Sequence, residues 1–174
     1  HFLVKKEGEQ GMVIHKNHTL VNYTKYKGLK PEWIVIHYTG NTTDTAKANT
    51  DYFKSVKRGA SANYFVGDDG IYMCVNPSKG YAWHCGKDYS GGRAKYQGIV
   101  TNRNSIGIEM CSQGGKISDK TYKKTVKLVK KIMKKYRIPA SHVIRHYDVC
   151  GKQCPGWEGW LPGNNVIWQG FKKY

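Results

Sequence analysis

At 174 residues with 39% apolar side chains, the chain has the length and composition of one domain with a single buried core. No run of about 18 or more apolar residues occurs, which excludes a membrane-spanning helix. A formal charge of +17 fits a polyanionic partner, whether nucleic acid, an anionic membrane surface or a cell wall bearing teichoic acids, or else a surplus of lysines that only keeps the chain soluble.

The opening stretch HFLVKKEGEQG has no long apolar run and does not read as a signal peptide. A start at His1 rather than Met reads as a fragment, a processed form or a tagged form, with Met12 a candidate natural start. Residues 1–30 are polar, basic and weakly periodic, and are expected to form an arm wrapped on the domain, with 1–11 foreign to it. WIVIHYTG, 33–40, reads as a strand covered on both faces. Thr42 to Asp44 can cap a helix running to about Arg58. ANYFVGDDGIYMCV, 62–75, reads as a hairpin turning at Gly67–Asp68–Asp69–Gly70.

The glycine-rich stretch 79–104 is expected to be a long surface loop broken by short elements, the kind of segment that carries function. SIGIEMC, 105–111, reads as a strand with Ile106, Ile108 and Met110 on one face. Its other face carries Gly107 and Glu109, a carboxylate beside a residue with no side chain. The spacing predicts a helix over 119–136, with an apolar stripe of Tyr122, Val126, Val129, Met133 and Tyr136 and lysines facing solvent. HYDVCGKQCPG, 146–156, is loop-like because of Gly151 and Pro155, and the C-terminal NNVIWQGFKKY closes with a short helix. No repeat or second domain is visible.

Five cysteines, Cys74, Cys85, Cys111, Cys150 and Cys154, cannot all pair within one chain, so reduced thiols are expected. His142, His146, Cys150 and Cys154 lie four apart and could form a local structural zinc site on one helix, but Gly151 and Pro155 oppose such a helix. Alternatively His37, His146 and Cys154 supply three ligands and leave a fourth position open, as catalytic zinc sites do. From spacing alone that triad is one combination among several.

Five segments in order, WIVIHYTG, SANYFVGDDGIY, AWHCG, NSIGIEM and VIRHYDVCGKQCPG, resemble the type 2 N-acetylmuramoyl-L-alanine amidases, relatives of the peptidoglycan recognition proteins. The resemblance spans roughly residues 30–156 and implies an α/β fold: a single domain, 31–174, with a central mixed β-sheet flanked by α-helices and zinc in an open surface groove. It implies one zinc ion held by His37, His146 and Cys154, with Glu109 as general base on zinc-activated water. Lys152 would stabilise the oxyanion, Tyr64 would help polarise the scissile carbonyl, and His84 and Trp83 would contact substrate.

The implied reaction is hydrolysis of the bond between N-acetylmuramic acid and L-alanine in bacterial peptidoglycan. The expected setting is a phage or prophage endolysin acting as a monomer at the cell wall, made in the host cytoplasm and assisted by anionic wall polymers. A host autolysin and a non-catalytic peptidoglycan-binding module are the alternatives. No helix-turn-helix, zinc-finger spacing or aromatic RNA-binding signature supports nucleic acid as a partner.

Overall fold

The structure is a computed structural model and describes residues 11–173. The stretch 1–10, most of the segment read as foreign, lies outside the described residues. Eight strands and four α-helices occur among those described. They are β1 (Ile14–Lys16), β2 (Tyr23–Lys25), β3 (Trp33–Tyr38), α1 (Ala46–Lys54), β4 (Tyr64–Gly67), β5 (Gly70–Met73), β6 (Gly80–Ala82), β7 (Ser105–Met110), α2 (Asp119–Tyr136), β8 (Val143–Arg145), α3 (His146–Cys150) and α4 (Val166–Phe171). Six strands form one mixed sheet in the order β1-β5-β4-β7-β3-β8, parallel except for the β4–β5 hairpin, while β2 and β6 pair separately. The expected mixed sheet flanked by helices is therefore present. No described helix is long and apolar enough to cross a membrane.

Strand alternation divides the core. Ile34 and Ile36 of β3, Tyr64 and Val66 of β4, and Ile106, Ile108 and Met110 of β7 face α2 and the C-terminal aromatics. Fully buried Trp160 packs there against Tyr122, Trp168 and Phe171. Trp160→Ala is expected to cost about 3–5 kcal/mol; urea unfolding with an unchanged midpoint would contradict this packing. On the opposite face two smaller clusters form, one around Trp33, Val35 and Val149, the other around Ala46, Phe65 and Cys111.

Several local expectations are revised. Residues 14–16 and 23–25 are strands, so the N-terminal segment extends the sheets as well as lying on the domain. Thr45, not Thr42 to Asp44, caps α1, accepting a hydrogen bond from Ala48 N–H at 3.1 Å. That helix stops at Lys54, short of Arg58, because Thr19, Leu20 and Asn22 donate to the carbonyls of Phe53 and Lys54. α2 spans the expected residues, but its deepest positions are Thr121, Thr125, Leu128, Val129 and Ile132, and the predicted stripe packs at their edge except for Val129. The two threonines are buried with their hydroxyls satisfied: Thr121 donates to Asp68 Oδ1 and Thr125 to the Thr121 carbonyl. Residues 146–150, read as loop, form α3, which ends at Gly151 in the left-handed region.

Candidate active site

β3 and β7 run parallel with His37 paired to Glu109, so both side chains stand near the strands' carboxyl ends, on the face away from α2. In open α/β sheets ligands gather in the crevice outside those ends. The neighbouring β8 leads directly into α3, whose first residue is His146. Arg145 fixes that junction: its guanidinium holds both Asp148 carboxylate oxygens, at 2.9 and 2.7 Å, and donates to the Trp160 carbonyl. Gly151 then turns the chain where any Cβ would stand 2.7 Å from Ser90 Cβ. The returning loop brings Cys154 to β3, where its Sγ accepts from Tyr38 N–H at 3.4 Å.

His37, His146 and Cys154, all buried, bring one ligand atom each to within 4.8 Å of one another. The two histidine Nδ1 atoms are 3.0 Å apart. Bonds of about 2.0–2.1 Å at tetrahedral angles put two zinc-bound nitrogens roughly 3.3 Å apart, so the spacing fits an ion between them. The protonation states also fit. Burial, reinforced by His146, His84 and Lys152, holds His37 well below the usual imidazole range, and burial with Lys152 lowers His146 to about 4. Neutral imidazole is the ligating form. Burial pushes the Cys154 thiol above its ordinary range, so a cation is the partner that would hold it as thiolate. All five cysteines are unpaired, as expected.

A cleft of about 560 Å³ opens over these residues and is lined also by Glu109, Lys152, Asp44, Phe65, Trp83 and His84. Glu109 Oε1 lies 3.8 Å from His37 Nδ1, and its Oε2 is buried without a hydrogen-bond partner. Burial raises the carboxyl to about 7, against the pull of Lys152 and with help from Asp44. Lys152 is exposed on the loop before Cys154, its Nζ 5.5 Å from the Tyr89 ring centre.

Tyr64 is a correction. It pairs with Ile108, shares that residue's face and is buried in the α2-side core, across the sheet from Glu109. Phe65, one residue on, pairs with Glu109 and lines the cleft instead. Trp83 lines the cleft with its indole N–H donated to Thr24 Oγ1 at 2.8 Å. His84 is only 9% exposed and stands behind His37. The local four-apart site is not formed: His142 stacks on Trp33, and the Cys150 thiol donates to the His146 carbonyl. Asp44, read only as a helix cap, is buried in the cleft wall with Oδ2 unpartnered. The signal for it was its place in the loop after a parallel strand.

Fold and site together define an α/β domain with a candidate single-metal centre in an open cleft. The chain belongs to the N-acetylmuramoyl-L-alanine amidase family, whose sequence model matches residues 27–157. It is 31% identical over 148 residues to N-acetylmuramoyl-L-alanine amidase CwlL of Bacillus licheniformis, covering 80% of this chain and 41% of that protein. It is 30% identical over 142 residues to the amidase CwlH of Bacillus subtilis (strain 168), covering 78% and 53%. The chain thus spans about half the length of the curated relatives it matches. Among solved structures, a mutant endolysin from Bacillus subtilis superposes with a TM-score of 0.74 at 28% identity, covering 93% of this chain and 97% of that one. The catalytic domain of XlyA, a B. subtilis (strain 168) amidase, gives the same score and identity, covering 93% and 98%.

Proposed function

We propose that this domain hydrolyses the amide bond between N-acetylmuramic acid and L-alanine in bacterial peptidoglycan. One zinc ion would be held by His37, His146 and Cys154, and the setting would be that of a phage or prophage endolysin acting at the cell wall. The observation that carries the reading is the convergence of two neutral imidazoles and a thiol beside a carboxyl poised near neutrality, in an open cleft.

When bound, zinc supplies Lewis acidity and brings the pKa of water down toward neutrality. The rest falls to the chain's own residues. Glu109, with its carboxyl at about 7, is present at neutral pH in both forms, so it can take a proton from the attacking water and return it to the departing alanine nitrogen. Lys152 depresses both site histidines and Glu109 electrostatically, and the same positive charge is available to the oxyanion that forms on the lactyl carbonyl. Phe65 and Trp83 wall the cleft, and the partly exposed Trp83 is the aromatic side chain offered there to the glycopeptide. Exposed lysines along α2, on the opposite side of the sheet, suit retention on anionic wall polymers.

Lys152→Ala is expected to keep its zinc and lose about a hundred- to a thousandfold in turnover; full turnover would remove Lys152 from the reaction. The test of the function is product analysis on purified walls. The reading expects new L-alanine amino groups without new reducing sugar ends. Reducing ends would indicate a glycosidase, and binding without either product would indicate a recognition module.

A further inference from the structure

Both ring nitrogens of His84 are engaged inside the protein, leaving neither for a sugar or peptide. His84 Nδ1 lies 2.9 Å from His37 Nε2, and His84 Nε2 lies 3.0 Å from Ser105 Oγ, with the weakly accepting Cys85 Sγ at 4.0 Å. Ser105 Oγ is in turn 2.5 Å from the Thr101 carbonyl.

The directions of these bonds follow from the far end. A carbonyl only accepts, so Ser105 spends its one hydroxyl proton on Thr101. The Ser105 oxygen can then only accept, which requires a proton on His84 Nε2. A neutral imidazole carries one N–H, so His84 Nδ1 is bare and must accept from His37 Nε2–H. That leaves the lone pair of His37 on Nδ1, the nitrogen facing His146 Nδ1 and Glu109.

We infer that His84 is a positioning residue, the middle member of a one-way hydrogen-bond relay that fixes His37 in the tautomer whose Nδ1 is free to ligate. The inference rests on the proposed role of His37 as a metal ligand. It explains two features that catalysis alone leaves idle. Gly107, on the strand that carries Glu109, has no side chain because any Cβ there would stand 2.6–2.9 Å from three atoms of the His84 ring. Asn102 Oδ1 accepts from the backbone N–H groups of both His84 and Cys85, at 2.9 and 2.8 Å, pinning the loop that presents the ring. Second-layer partners of metal-bound histidines do this kind of work: they fix the tautomer and ring orientation.

The test has two readouts, neither of them activity. Long-range ¹H–¹⁵N spectra of metal-free, ¹⁵N-labelled protein report which nitrogen of His37 carries the proton, and competition with a chelator reports zinc affinity. Wild type is expected to show His37 protonated on Nε2. His84→Leu removes the acceptor, so its His37 tautomers should mix and its zinc affinity should fall about ten- to a hundredfold. His84→Asn, whose Oδ1 can replace the accepting nitrogen, should restore both. Ser105→Ala, a smaller change, interrupts the relay one step out and should release the tautomers of both rings. Unchanged tautomers in His84→Leu or Ser105→Ala, or an Asn variant as impaired as the Leu variant, would overturn the relay. Wild-type protein that takes up no zinc would instead overturn the ligand assignment beneath it.

Discussion

Cys154→Ala protein is expected to emerge from zinc loading and dialysis without its metal, and its release of amino groups from cell walls should fall to background. The size of the effect follows from ligand arithmetic. Zinc sites built from four protein ligands are worth about 10–16 kcal/mol at neutral pH, so each ligand carries roughly 2.5–4 kcal/mol, a hundred- to a thousandfold in affinity. A site with only three protein ligands has little to spare. His37→Ala should behave alike, since His37 shares with Cys154 and His146 the one compact set of donors found among the described residues. Cys150→Ala is the control: Cys150 sits outside that set with its thiol donated to a backbone carbonyl, so its loss should leave zinc in place. Zinc held equally by the Cys154→Ala and wild-type proteins, measured by metal analysis after dialysis, would defeat the assignment.

Glu109→Gln should separate chemistry from metal binding. The amide has nearly the shape of the carboxyl and Glu109 is not among the donor set, so zinc content should stay at the wild-type level. Turnover should drop about a hundred- to ten-thousandfold, the range ascribed to a positioned general base, with little change in KM. The cause lies in the environment: burial and nearby Asp44 raise the carboxyl to about 7, giving it the proton affinity that a neutral amide lacks. Single-turnover hydrolysis of a soluble muropeptide measures this step directly, and an unchanged rate would take Glu109 out of the reaction.

The sequence was most informative where a pattern was long or a strand was central. α2 was legible to its end residues because a stripe repeated over 18 positions outweighs local noise. His37 and Glu109 were legible as members of strongly apolar strands, although their pairing across those strands was not. Register also decided the fate of Tyr64. The strand was read correctly, but only its alignment with Ile108 shows that the side chain enters the α2-side core. Strands of three residues, such as β1 and β2, are too short to carry a period, so their pairing depends on contacts distant in sequence. α3 was hidden because five helical residues sit next to Gly151, which reads as a breaker although it serves as the cap. The late loop's share of the metal site came from family resemblance, since spacing alone left two constellations open. His84 is the instructive case: a gap at Gly107 was visible in the sequence, but which ring would fill it was not.

The central claim is that two imidazoles and one thiolate, from β3, α3 and the loop after it, meet at one ion. X-ray absorption at the zinc edge of the loaded protein addresses it most directly. The account predicts one sulfur neighbour at about 2.3 Å and two imidazole nitrogens at about 2.0–2.1 Å. A wild-type spectrum with no sulfur at bonding distance would contradict it.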